Sequence, residues 1–444
     1  MAVIVQRPKG TQDAVPSTIN KWHTVEAVVR DSADQFGFKE IRTPVFEDTS
    51  LFVRSVGDTS DVVTKEMYTV SSKGDATFTL RPEGTAGAVR AMLENGVMNE
   101  GFPQKIYYIA SCYRHEKPQA GRLREFHQFG VEMFGSASPY ADAEVIMLAK
   151  HILNQCIGDK ISLNINSIGC PECRANYHKA LKEYFEAKKA DLCGTCLERL
   201  DKNPMRILDC KSPVCSEIAK DAPKILDYLC DDCSAHFEKL KEILDAHEIA
   251  YTVNPKIVRG LDYYTRTVFE FISTDIGAQG TVCGGGRYDG LVSQLGGQPT
   301  PALGFGMGLE RLILVMEKLG IKFMDPVTPD IYIAPMGDKA QLFASKLAAE
   351  LRDAGYKADY DIVGRGLKPQ MRYADKVGAK FVVVLGDNEL ETGDVKIKNM
   401  RTGEQTDAKL DGFVKSLEEL YVNEICETDN PFSRAVIEAL GGEK

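Results

Sequence analysis

Residues 113–135, YRHEKPQAGRLREFHQFGVEMFG, constrain the fold of this 444-residue chain more than any other stretch. From Arg124 to Phe134 the residues alternate as a strand does. His127, Phe129, Val131 and Met133 share one face, and Phe126, Gln128, Gly130, Glu132 and Phe134 share the other. The preceding IYYIASCYRHE reads as a second strand, and KPQAGR between them has the Pro and Gly of an exposed loop. On the polar face Gln128 and Glu132 flank a glycine, which predicts room for a small ligand between them. Arg114 is expected on the floor of this antiparallel pair, with Arg122 and Arg124 at its rim. Guanidinium forks suit phosphate oxygens because two parallel donors meet two acceptors. An ordinary hairpin with a charged tip has the same pattern, so the rest of the chain has to decide between them.

The length allows two or three domains. A hydrophobic content of 43% with 27% charged residues is that of a soluble globular protein, and no apolar run is long enough to cross a membrane. Arg7 and Lys9 interrupt the short apolar start, so it is no secretory signal, and a cytoplasmic location is expected. The formal charge of −10 argues against non-specific adhesion to nucleic acid over the whole surface but allows a local basic face. No GxxxxGK[ST] occurs, which excludes a P-loop nucleotide site.

Several further stretches carry local signals. Trp22, Val25, Val29, Ala33 and Phe36 have helical spacing, and a turn, a strand and the break at Pro44 follow. TFTLRPEGTAGAVRAML predicts a strand, a Pro-Glu-Gly turn and a helix with Glu83 and Thr85 at its start. A carboxylate there can cap the helix or receive an ammonium group. VRGLDYYTRTVFEF places Arg259 before a turn and Tyr263 and Tyr264 before a strand, and GAQGTVCGGGRYDGL has three glycines before Arg287 and Tyr288. LGFGMGLERLIL predicts a Gly-rich strand running into a helix with Leu309, Leu312, Ile313 and Met316 inward. After KFMDPVTPD, which reads as a linker, DIYIAP, YKADYD and KFVVVLG alternate with helical patterns, which argues an α/β domain with a partly parallel sheet.

Of the twelve cysteines, eight fall between Cys170 and Cys233. Cys170 and Cys173, Cys193 and Cys196, and Cys230 and Cys233 form three CxxC pairs, and Cys210 and Cys215 form a wider one. Eight thiolates can fill two tetrahedral sites of four, so structural zinc and idle thiols are the two readings. A reduced compartment disfavours disulfides, and a catalytic zinc would keep a non-cysteine ligand.

Arg-x-Glu, a basic loop and Phe-x-Gln-x-Gly-x-Glu resemble motif 2 of the class II aminoacyl-tRNA synthetases. The helix, strand and Pro44 resemble motif 1, and Gly-x-Gly-x-Gly-Leu-Glu-Arg resembles motif 3. RGLDYYTRTVFEF and the Glu83 loop resemble those of the histidyl-tRNA synthetase family, and the resemblance covers residues 1–425.

It implies an α+β catalytic domain over residues 1–325, an antiparallel sheet flanked by helices. A Cys-rich helical insertion is expected at 170–250, an α/β anticodon-binding domain at 329–425 and a loose tail at 426–444. Many histidyl-tRNA synthetases have the insertion without most of these cysteines. The implied substrates are L-histidine, ATP with Mg²⁺ and tRNA(His), and the implied assembly is a homodimer with no membrane. By the same resemblance Glu83, Thr85, Arg114, Gln128, Glu132, Arg259, Tyr263, Tyr264 and Tyr288 would bind histidine. Arg114, Glu116, Arg122 and Arg311 would bind ATP, with Arg259 and Arg114 catalytic. Glu132 and Tyr264 would grip the imidazole. Two rival readings are a non-catalytic paralogue that senses histidine, and an interaction module built on the Cys-rich segment.

Overall fold

The structure is a computed structural model and describes residues 5–57, 60, 62–71, 77–208, 210, 212–257, 263–274 and 280–427. The chain forms two compact units, Met1–Met324 and Asp325–Lys444, so the boundary falls inside the linker expected from KFMDPVTPD.

In the first unit the order is α1 (Ile19–Gln35), β1 (Lys39–Glu40), β2 (Phe46–Asp48), α2 (Thr49–Val56), β3 (Tyr68–Ser71), β4 (Thr77–Leu80), α3 (Thr85–Glu94), β5 (Gln104–Tyr113), β6 (Glu125–Phe134), α4 (Pro139–Ile157) and β7 (Ser162–Ser167). The Cys-rich segment follows with α5 (Pro171–Glu186), α6 (Gly194–Lys202), α7 (Pro213–Ile218) and α8 (Asp231–Ala246). Then come β8 (Tyr251–Val253), β9 (Thr265–Ile272), β10 (Thr281–Arg287), α9 (Leu291–Gln294), β11 (Ala302–Gly308) and α10 (Leu309–Lys318).

An eight-stranded sheet in the order β1-β5-β6-β11-β10-β9-β7-β8 carries the unit. Its middle is antiparallel, and only the edge pairs β1/β5 and β7/β8 are parallel. The hairpin read from the sequence is its centre: β5 and β6 pair without a break from Gln104↔Phe134 to Tyr113↔Glu125. The first strand stops at Tyr113, three residues short of the predicted end. Beyond it the backbone N–H of Arg114 donates to Arg124 and that of His115 to Glu66, outside the ladder. A three-stranded sheet, β2-β4-β3, stands beside the large one.

The alternation in β6 splits the sheet into two environments. Phe129, Val131 and Met133 pack with Val25 and Val29 of α1, Ile146 and Leu153 of α4 and Leu312 and Val315 of α10 in one apolar cluster. Full burial of each such side chain stabilises the fold by about 1.5–3 kcal/mol, which is why the face is apolar at every second position. The other face carries Tyr108, Phe134, Tyr263, Tyr264 and Tyr288. Helix α4 illustrates how local sequence sets a boundary. The Ser138 side chain accepts from the N–H of Tyr140 at 3.3 Å, Pro139 opens the first turn, and Gly158 ends the helix at φ +61°.

The Cys-rich segment is helical, as expected, but its last helix belongs to the catalytic core. Phe237, Leu240, Ile243 and Leu244 of α8 share the apolar cluster of α1, α4 and α10. The last helix of the expected 170–250 insertion, residues 231–246, thus packs with the scaffold. Tyr177, Leu181 and Phe185 of α5 join the cluster of the tyrosine face instead.

The second unit contains β12 (Ile331–Pro335), α11 (Asp338–Asp353), β13 (Ala358–Tyr360), α12 (Leu367–Lys376), β14 (Phe381–Leu385), α13 (Asp387–Thr392), β15 (Asp394–Asn399), β16 (Gln405–Lys409) and α14 (Phe413–Glu427). Its sheet runs β13-β12-β14-β15-β16, with the first three strands parallel and the last two antiparallel, as the β/α rhythm predicted. Helix α14 extends two residues into the expected loose tail, the rest of which lies outside the described residues.

Candidate active site

A cavity of about 290 Å³ opens on the tyrosine face of the large sheet. Its wall brings together Glu83, Thr85, Arg114, Glu116, Arg122, Gln128, Tyr263, Tyr264 and Arg311, nine of the twelve residues expected to bind substrates. Arg259 lies outside the described residues. Glu132 and Tyr288 do not line this cavity and sit behind its wall, and Arg124, expected at the rim, points its Nε to the Glu116 carbonyl at 3.1 Å.

Glu83 takes the capping role its position allowed and also faces the cavity. It is 2% exposed, and its carboxylate caps α3 by accepting from the N–H groups of Thr85 at 2.6 Å and Ala86 at 3.0 Å. The same group lines the cavity. Burial raises its pKa, while the two backbone donors and the charge of Arg114 pull against that rise.

The other end of the cavity is cationic. Arg114 donates from Nε to the Pro82 carbonyl at 2.8 Å and lies over the Phe126 ring at 5.3 Å. Arg122 pairs with the carboxylate of Glu116. Arg311 donates from Nε to the Gly121 carbonyl at 2.6 Å and from Nη1 to the Thr281 carbonyl at 2.7 Å, which ties the loop after β5 to β10. Its pKa is lowered by burial and then by the charges of Arg122 and Arg114. Guanidiniums that repel one another across a concave wall call for an anion with several charges. Helix α10 is aimed by Glu310, which accepts from the His127 N–H at 2.9 Å and lies 2.8 Å from its Nδ1.

The wall also holds residues not singled out as substrate contacts, among them Glu270, Thr281 and Phe126. Glu270 and Thr281 bond at 3.2 Å across β9 and β10, and Phe126 offers its ring. Phe126 shares the ligand face of β6 and was legible there, whereas Glu270 sits in an ordinary alternating strand and had no local signal.

The room expected beside Gly130 is taken. A Cβ at Gly130, or at Gly84, would fall on the Tyr108 ring, so that phenol wedges between β6 and the start of α3. The Tyr108 hydroxyl donates to Glu132 at 3.0 Å, and Tyr288 donates to the other carboxylate oxygen. The alternating glycines of β11 make room for Glu132 and Gln128. A Cβ at Gly304 would fall on Glu132 and one at Gly306 on Gln128. Tyr288 stacks edge-on against Tyr263 at 5.6 Å, and Tyr263 lies 4.7 Å from Tyr264. Glu132 thus fixes a train of tyrosines that ends in the cavity wall.

Burial pushes the Glu132 carboxyl up to about 8 from the usual 4.5, the bonds from Tyr288, Thr85 and Tyr108 opposing and the charge of Glu83 assisting. The folded protein then keeps a proton that the unfolded chain loses near 4.5. Between these values the folded state binds more protons, so this group's contribution to stability is full below 4.5 and falls as pH rises to about 8. Glu132→Gln cannot titrate and is expected to gain stability relative to the parent as pH rises through that window. Glu83, shifted in the same direction, leaves a smaller residual slope in the variant. Urea unfolding at a series of pH values measures this, and parallel curves for the two proteins would sink it.

In the Cys-rich segment the eight cysteines form two groups, Cys170 with Cys173, Cys230 and Cys233, and Cys193 with Cys196, Cys210 and Cys215. Within each group all four sulfurs lie within 4.8 Å of one another.

Residues 10–312 match the family model described as Histidyl-tRNA synthetase, and residues 330–420 match the one described as Anticodon binding domain. A histidine–tRNA ligase of Acetivibrio thermocellus is 54% identical over 415 residues, covering 94% of this chain and all of the relative. One from Caldanaerobacter subterraneus is 52% identical over the same length. The solved structure of apo S. aureus histidyl-tRNA synthetase superposes with a TM-score of 0.80 at 39% identity, over 93% of this chain and 100% of that one. Similarity of this extent along the whole catalytic sheet and the domain after it has one meaning: the chain belongs to the histidyl-tRNA synthetase family.

Proposed function

We propose that the cavity on the tyrosine face is where this chain carries out its family's reaction, ATP-dependent activation of histidine and its transfer to tRNA(His). In the first step a carboxylate oxygen of histidine attacks the α-phosphorus of ATP, the bond to the β-phosphate oxygen breaks, and pyrophosphate leaves with the electron pair. In the second step the terminal adenosine hydroxyl of the tRNA attacks the activated carbonyl and AMP leaves.

The observation that carries the assignment is the polarity of the cavity, with a buried carboxylate at one end and three converging guanidiniums at the other. Glu83, Thr85 and Gln128 suit an α-ammonium group. Arg114, with Arg259 from the residues outside the description, would brace the α-phosphate and the substrate carboxylate, while Arg122 and Arg311 hold the outer phosphates. Catalysis here is positioning and charge neutralisation and needs no covalent nucleophile. Mg²⁺ bound chiefly by the phosphates would offset their charge, and Glu116 and Glu270 offer the oxygen donors it accepts. Tyr264 faces the imidazole, and Glu132 acts from behind by holding Tyr108 and Tyr288. A wall of polar partners rejects apolar amino acids because those partners would be left unpaired, a discrimination of roughly 10⁴-fold.

The second unit is proposed to read the anticodon. A homodimer is supported by the apolar side chains exposed on and beside the small sheet, Phe46 at 57% and Val70 at 53%. Among the described residues no helix is long and apolar enough to cross a membrane, in keeping with a cytoplasmic enzyme. The two four-cysteine groups are proposed as structural zinc sites.

Pyrophosphate exchange into ATP, run with each of the twenty amino acids and no tRNA, tests the assignment. Exchange with histidine alone is expected. Silence with all twenty would replace catalysis with a histidine-sensing role.

A further inference from the structure

The two cysteine groups differ in what they are attached to. Cys193, Cys196, Cys210 and Cys215 lie wholly inside the insertion, at the starts of α6 and α7. Cys170 and Cys173 begin the insertion, whereas Cys230 and Cys233 end it at the start of α8, the helix that belongs to the catalytic core. This first knuckle therefore closes the base of the insertion across the 56 residues between Cys173 and Cys230.

Both groups have the chemistry of a tetrahedral thiolate site. A metal held by sulfurs at about 2.3 Å requires sulfur separations of about 3.8 Å. Cys170 and Cys173 are 3.5 Å apart, and Cys193 and Cys210 are 3.8 Å apart. Backbone N–H groups already point at the sulfurs, Cys230 to Cys173 at 3.1 Å and Cys193 to Cys215 at 3.2 Å. Such donors orient and stabilise thiolate ligands.

Among the described residues, the first knuckle touches the frame of the cavity. Cys173 occupies the place where a Cβ of Gly169 would stand, with Gly169 at φ +66°. The Gly169 carbonyl accepts from the Thr265 hydroxyl at 3.1 Å and from the Arg266 N–H at 2.9 Å. One turn into α5, Arg174 donates from Nη1 to the Tyr264 carbonyl at 3.0 Å. The two residues of the wall, Tyr263 and Tyr264, thus run straight into a backbone segment held by the knuckle.

We propose that Cys170, Cys173, Cys230 and Cys233 hold a zinc ion that positions Tyr263 and Tyr264, so that this knuckle, and not the second, sets the affinity for histidine. The coupling rests on the reading of the cavity as the histidine site. The pairing of the thiols does not.

The test compares metal content and steady-state exchange kinetics for the full-length protein, reconstituted with zinc and desalted. The parent is expected to retain two zinc ions per chain, and Cys170→Ser/Cys173→Ser and Cys193→Ser/Cys196→Ser one each. The first double variant is expected to raise KM for histidine about tenfold and leave KM for ATP unchanged. The second is expected to change neither. Arg174→Met keeps both zinc ions and is expected to raise KM for histidine in the same sense, which decides the coupling even where the cysteine variant does not fold. Tetrahedral thiolate bands on Co²⁺ substitution, reduced to half intensity in the first variant, would support the site independently of activity. A parent that retains no zinc overturns the metal. Unchanged KM for histidine in Arg174→Met, with two zinc ions bound, overturns the coupling. A parent without histidine-dependent exchange overturns the cavity assignment and the coupling together, while its zinc content still decides the knuckles.

Discussion

Arg114→Ala is expected to lower histidine-dependent pyrophosphate exchange by about 10²–10³-fold, the loss typical of removing one fixed donor from developing charge. Arg114 is one of the three guanidiniums of the cavity wall, and its position is set before substrate arrives. The Pro82 carbonyl takes its Nε proton at 2.8 Å, and the Phe126 ring lies below it at 5.3 Å. The residue lines the cavity, where a guanidinium fork can span two phosphate oxygens. Arg114→Lys is expected to recover only part of the rate, because an ammonium group supplies charge without the planar fork. The measurement is kcat/KM for exchange on protein shown by circular dichroism to be folded. A loss of less than about fivefold in the alanine variant would remove Arg114 from the reaction, since that is far below the range for such a donor.

Asp142→Ala is expected to destabilise the first unit by about 3–5 kcal/mol, a large share of what a domain of this kind has in reserve. Arg287, at the end of β10, is fully buried, and every guanidinium N–H is used. Its Nε donates to both oxygens of Asp142 at 3.0 and 2.9 Å, and Nη2 to Asp142 at 2.6 Å and the Ser138 carbonyl at 2.9 Å. Nη1 serves the Ser136 carbonyl at 2.9 Å and Asp289 at 3.3 Å. Burial alone would raise the Asp142 carboxyl, but Arg287 and His236, 3.3 Å away, hold it below the usual carboxylate range. Removing the carboxylate leaves a permanent buried cation with only the longer contact to Asp289 at 3.3 Å as counter-ion. Replacing both partners, as Asp142→Leu with Arg287→Met, is expected to recover most of the loss, because the penalty comes from the orphaned charge. Denaturant unfolding of the two single variants and the double one measures this. Equal losses in all three would show that packing, and not charge, dominates.

Because Tyr288 follows Arg287 directly and bonds Glu132, this ion pair also anchors the wall of the cavity. That connection was not visible in the RYDG stretch that holds Arg287. Its partner stands 145 residues earlier in an apolar helix.

What the chain declares locally was legible without coordinates. The β5/β6 hairpin follows from alternation and a Pro-Gly loop, α3 from a Pro-Glu-Gly turn ahead of an apolar period, and the β11–α10 joint from glycines running into Leu309, Leu312 and Ile313. Each depends on residues a few positions apart, and side-chain periodicity is fixed by backbone geometry. Most of the cavity wall was legible for the same reason, because its residues lie in those stretches. Spacing could not say what fills a gap or which distant partner answers a charge. Tyr108 occupies the space that Gly130 leaves open, Glu132 turns to two tyrosines behind the wall, and α8 joins the catalytic core. Eight cysteines in four pairs allowed more than one division into fours. Only the fold brings the first pair, at the start of α5, to the last, at the start of α8, because a contact across some sixty residues is decided by how the elements stack and not by the order in which they come.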